Sequence, residues 1–179
     1  TTYRRSDNSL IVSSREDFVI ALDYDTKAIK WILGDETKQW FQFPSLAQFA
    51  LQLNVGGVPP IGQHAVSITT DNNLLLMDNG QPSGRHDPPG LTLPFSFPRK
   101  YQINVVAKEA TELLEYPGDE RYFTNFCGSA YEDAKSNYLV DYAGNTGGAV
   151  PQVLGYNAAG VKVFDYQYPS PGCYTAFNS

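Results

Sequence analysis

The stretch Ile61-Gly62-Gln63-His64-Ala65-Val66-Ser67-Ile68-Thr69-Thr70-Asp71-Asn72-Asn73-Leu74-Leu75-Leu76-Met77-Asp78-Asn79-Gly80 decides the fold. His64, Val66 and Ile68 alternate, the polar Asp71-Asn72-Asn73 turns the chain, residues 74–77 run apolar, and Asn79-Gly80 ends the pattern. Alternation, turn and second run together read as a β-hairpin. Gly56, Gly57, Pro59, Pro60 and Gly62 crowd the approach, so the chain enters the hairpin from a shaped loop and not from a helix. His64, one of two histidines, therefore stands where a rigid strand meets a loop, the place where sites concentrate.

The same grammar recurs outward from this hairpin. Residues 9–14 and 18–23 read as strands joined by Arg15-Glu16-Asp17, and residues 24–27 turn into a third strand that ends at Gly34. A looser copy occupies 101–116, and another runs through 152–156, the turn Asn157-Ala158-Ala159-Gly160, and 161–166. Repeats of about 40 to 50 residues with four strands each are the mark of a β-propeller. The expectation is an all-β chain: residues 1–179 as part of a propeller, with about three blades near 8–34, 64–116 and 126–166. Residues 173–179 read as the first strand of a further blade. Closed propellers have about four to eight blades, so the open sheet edges call for a missing propeller half or a homo-oligomer partner. The one helical candidate is 44–53, where Leu46, Phe49, Ala50 and Leu53 fall at helical spacing, Ser45 serves as cap and Gln48 completes a capping box.

Composition limits the function. The 179 residues suffice for one domain with a sizeable core. The net charge of −6 and the absence of a basic cluster argue against nucleic acid. No run approaches the roughly 18 apolar residues of a membrane span. The chain opens at Thr1 with neither a start methionine nor a signal peptide and reads as a processed chain or a fragment. Cys127 and Cys173 cannot make a metal site by themselves; a disulfide and two buried thiols are both open, and a disulfide would place the chain in an oxidising compartment.

The ordered set Asn8 to Arg15, Lys30-Trp31-Ile32-Leu33-Gly34, Gln63-His64-Ala65 and Met77-Asp78-Asn79-Gly80 resembles the second half of arylsulfate sulfotransferases, over Asn8 to about Tyr142. The resemblance implies a six-bladed propeller with its site in the central channel. It also implies ping-pong transfer of sulfuryl from an aryl sulfate ester to a phenol through a sulfohistidine, with no nucleotide donor. His64 maps onto the family's nucleophile, and Arg15 onto the arginine that grips the sulfate. Arg85 matches an arginine that follows the Asp-Asn-Gly motif in some members. The family's other histidines fall before Thr1, and with them the group expected to protonate the departing phenolate. The implied setting is periplasmic or secreted, and neither cofactor nor metal is called for. A neutral imidazole suits attack on an anionic ester, and a guanidinium can hold two sulfate oxygens.

Other readings of the same residues are a non-catalytic propeller for binding or assembly and a quinone-cofactor propeller dehydrogenase. The latter rests on the pattern from Val19 to Trp31, and no calcium-ligand carboxylate cluster accompanies it. His86 reads as a solvated loop side chain, and Asp78 and Asn79 as Asx-bonding turn residues. Tyr122, Phe123 and Tyr131 read as core aromatics or as an aryl-binding wall.

Overall fold

The computed structural model describes residues 1–81, 90–113, 122–143 and 150–168. Within them the chain is all-β, with almost no helix and three sheets that follow one another in sequence. The first sheet is β1 (Thr2–Arg4), β2 (Ser9–Ser13), β3 (Phe18–Asp23) and β4 (Ile29–Gly34), each antiparallel to the next. It takes in residues ahead of Asn8, where the sequence pattern starts. The second sheet holds β5 (Gln52–Leu53), β6 (His64–Ile68), β7 (Leu74–Asp78), β8 (Phe97–Asn104) and β9 (Glu109–Glu112). β6 to β9 form an antiparallel meander, and β5 adds to its far edge, parallel to β9. The third sheet is the meander β10 (Ser129–Ala134), β11 (Asn137–Tyr142), β12 (Gln152–Tyr156) and β13 (Lys162–Gln167).

The sheets meet through their first strands: β6 packs on β1 and β2 of the first sheet, and β6 and β7 pack on β10 of the third. The middle sheet is thus covered on both faces, which is why all of β7 is buried. Alternate residues of its apolar run serve different cores. Leu74 and Leu76 join Ile11, Val19, Trp31 and Leu33 in one cluster. Leu75 and Met77 join Ala130, Val140, Tyr142 and Leu154 in the other. Full burial of one such leucine is worth about 1.5–3 kcal/mol over leaving it in water.

The helix expected over 44–53 is cut to one turn, α1 (Pro44–Ala47), behind a 3₁₀ turn at Gln39–Gln42. Phe43, not Ser45, stands at the cap position without a side-chain bond, and the Gln48 amide donates to the Ser45 carbonyl at 3.2 Å. The sheets claim the backbone groups a longer helix would use. Ile32 N–H donates to Phe49 O, Leu51 N–H donates back to Ile32 O, and Gln52 N–H donates to Lys108 O, all at 2.8 Å. Weak local propensity yields to this tertiary pairing.

Candidate functional site

The loop ahead of β6 is held by main-chain geometry only glycine accepts. Gly62 sits at φ +63°, and a Cβ there would lie 2.1 Å from the Gln81 carbonyl oxygen. Beneath the loop, buried Asp78 accepts hydrogen bonds on one oxygen from Ile61 N–H (3.2 Å) and Gly80 N–H (2.9 Å), and pairs through the other with Arg99. Arg99 also pairs with Glu112, whose second oxygen accepts from Val58 N–H at 2.8 Å. One buried charge network therefore ties both ends of the loop to the sheet. Burial pushes the Asp78 carboxyl up to about 6 against the opposing pull of Arg99 and the two amides. It is ionised at neutral pH, as its donor-only surroundings demand.

A β-bulge then re-aims the histidine. His64 pairs with Met77, whereas Ser67 pairs with Leu75, so β6 carries one extra residue between them. Ala65, at φ +48°, lies in that interval. The sequence alternation placed His64 on the face of Val66 and Ile68. The bulge moves it to the opposite face, that of Ser67, Leu75 and Met77, toward the third sheet. Val66 and Ile68 stay with the first.

There the imidazole meets Asn79 and the loop before β10. His64 Nδ1 lies 2.6 Å from Asn79 Oδ1, and Cys127 N–H donates to His64 Nε2 at 3.3 Å. The Asn79 amide nitrogen donates to two carbonyls of that loop, Thr124 O at 2.7 Å and Cys127 O at 2.8 Å. Burial pulls the His64 pKa below the ordinary imidazole value; the Asn79 hydrogen bond opposes the shift, and the positive charge of Arg15 adds to it. The ring is neutral at pH 7.

Arg15 converges on the same two segments. Its Nη2 donates to Asn125 O (2.9 Å) and Gln81 O (3.4 Å), and Nη1 donates to Glu16 Oε1 (3.1 Å). Arg15 Nε, Glu16 Oε2 and Asn125 Oδ1 are buried and lack a hydrogen-bond partner. A buried guanidinium N–H without an acceptor is costly unless a ligand supplies one. Gln63 fastens the two strand mouths together, donating through Nε2 to Ser14 O at 2.7 Å. Among the described residues no three His, Cys, Asp or Glu side chains gather to hold a metal ion, and no helix is long and apolar enough to cross a membrane.

The structure thus brings His64 and Arg15 to one place. Arg85 and His86 lie outside the described residues. Asp78 plays the turn role read from the sequence, but Asn79 contacts the histidine itself. The Asn-Gly signal hid that second task, and its partners lie 45 and 48 residues on. Tyr122 packs against the second core and Tyr142, with ring centres 5.0 Å apart. Cys127 is disulfide-bonded, and Cys173, the chain's other cysteine, lies outside the described residues.

In this three-sheet β protein a neutral, half-buried histidine thus stands beside an arginine with one guanidinium nitrogen left without a hydrogen-bond partner. The chain belongs to the arylsulfotransferase (ASST) family, whose sequence model matches residues 1–161. No curated protein matches it. Membership carries a sulfotransferase-like function, with aryl sulfates and phenols as the substrates the family suggests.

Proposed function

We propose that this chain forms part of a propeller whose channel transfers sulfuryl from an aryl sulfate to a phenol, with His64 as the nucleophile. The observation that carries the reading is the pairing of a neutral imidazole with an arginine whose buried Nε–H lacks a protein acceptor. The Arg15 side chain keeps 27% of its surface exposed, so a sulfate oxygen reaches the guanidinium from its open side, and the guanidinium offsets the charge that builds on the oxygens during displacement. Arg85 is a second candidate for the anion.

In the first half-reaction an imidazole nitrogen attacks sulfur, the S–O bond to the aryl group breaks and phenolate leaves. In the second, the acceptor oxygen attacks sulfur, the N–S bond breaks and the acceptor proton passes to solvent. Two half-reactions through one group give ping-pong kinetics. Meanders packed through their first strands support the propeller, with three blades present and the remainder supplied by a further propeller part or a second copy. The disulfide at Cys127 supports a periplasmic or secreted setting.

The test is incubation with a chromogenic aryl sulfate and a phenol, comparing the protein with its His64→Asn and Arg15→Gln variants. Turnover abolished by the first and weakened in KM by the second is expected. Turnover that survives His64→Asn refutes the mechanism. A completed propeller that binds the ester without turnover assigns the site to binding alone.

A further inference from the structure

The hydrogen bonds of Asn79 run in one direction only. Its Oδ1 and Nδ2 ends could be exchanged only by setting an oxygen against the carbonyls of Thr124 and Cys127, at 2.7 and 2.8 Å. Two facing acceptors at that separation repel, so Nδ2 faces the carbonyls and Oδ1 faces His64. An acceptor 2.6 Å from Nδ1 requires a proton on Nδ1. The neutral ring carries one proton, so Nε2 is left with its lone pair. The other side of the ring agrees independently: the main-chain N–H of Cys127 can approach Nε2 at 3.3 Å only if Nε2 is an acceptor. That contact is long for a hydrogen bond and restrains the nitrogen without engaging it strongly.

We infer that Asn79 is a positioning residue that fixes His64 in the Nδ1–H tautomer and so makes Nε2 the sulfuryl-accepting atom. This rests on the function proposed above and deepens it by naming the reactive nitrogen. A histidine side chain free in water favours the opposite tautomer, so the protein reverses an intrinsic preference. Asn79 also stitches the segment carrying the Cys127 amide to the end of β7, so one side chain sets both the ring's proton and the donor that faces Nε2. Ser96 secures the arrangement from behind: its hydroxyl oxygen lies 2.9 Å from both Asn79 O and Thr124 O, which share its one proton, and accepts from Thr124 N–H at 2.9 Å.

The test is nitrogen NMR of the chain with ¹⁵N-labelled histidine. Only two histidines are present, and His86→Gln identifies the resonances of His64. The expected result is a protonated, pyrrole-type Nδ1 and a bare, pyridine-type Nε2; the reverse pattern overturns the inference. Asn79→Ala is expected to move His64 toward the Nε2–H form and to lower kcat by roughly 10²- to 10⁴-fold, the scale of a wrong histidine tautomer elsewhere. An unchanged tautomer in that variant overturns the role of Asn79. Should Asn79→Ala fail to fold, the unsubstituted chain decides: the bond to Asn79 Oδ1 predicts a downfield Nδ1–H proton resonance protected from exchange with water, and the absence of that resonance overturns the role of Asn79. None of these spectra requires turnover. The assigned tautomer without sulfuryl transfer would refute the proposed function alone, and sulfuryl carried on Nδ1 would refute this inference alone.

Discussion

Replacing Gly62 by alanine tests how the site is built, because its cost can be worked from two distances. The added Cβ would stand 2.1 Å from Gln81 O, whereas ordinary contact begins at 3.4 Å, so one side must retreat by 1.3 Å (3.4 − 2.1). Gln81 O is also an acceptor for Arg15 Nη2, so the retreat is transmitted to the guanidinium. At φ +63° alanine pays about 1–2 kcal/mol of left-handed strain, and the overlap adds about 1–3 kcal/mol. A displacement near 1 Å at a reacting centre costs about 10²-fold in rate. Gly56 is the internal control: its φ is +83°, but a Cβ there meets nothing within 4 Å. Gly56→Ala should lose only the strain, about 1–2 kcal/mol, with unchanged activity. Urea denaturation and aryl sulfate turnover on both variants measure the difference. Equal stability loss and equal activity would refute the claim that Gly62 holds Gln81 and Arg15 in register.

Further outcomes follow from the same geometry. Asp78→Ala strips buried Arg99 of one of its two carboxylate partners and should cost about 3–5 kcal/mol in denaturant unfolding. The folded-state pKa of Asp78 is raised to about 6 from 3.8, so its contribution to stability is full below about pH 4 and is lost as pH rises toward 6. His64 works in the other direction. Its folded pKa is lowered, so stability falls as pH drops below the unfolded value of about 6.5, and NMR titration should place its midpoint below that pH. Arg15→Gln removes one cause of the depression and should move that midpoint up. Leu76→Ala, at a side chain buried between two sheets, should cost about 2–5 kcal/mol, whereas Val163→Ser on the exposed strand β13 should change stability by less than about 0.5 kcal/mol.

The hairpin that carries the site was legible because its code is local: alternation, a polar turn and an apolar run specify β6 and β7 without help from elsewhere. The continuous apolar run 74–77 is what a strand covered on both faces requires, and β7 is such a strand. Which face His64 occupies was not legible, since the bulge at Ala65 adds no residue type that marks it and reverses the parity of everything before it. The helix over 44–53 was misread because the claims of Ile32 and Lys108 on its backbone are non-local. Arg15 stood out through its motif, but its Asn125 partner lies 110 residues away. Asn79 was invisible as a site residue for the same reason.

The central claim is that His64 carries the sulfuryl group. The direct measurement is mass analysis of the protein mixed rapidly with an aryl sulfate, without acceptor, and quenched in alkali to spare an N–S bond. One added SO₃ is expected on the peptide containing His64, discharged on adding a phenol and absent in His64→Asn. Turnover with no sulfated intermediate, or with the group on another residue, would contradict it.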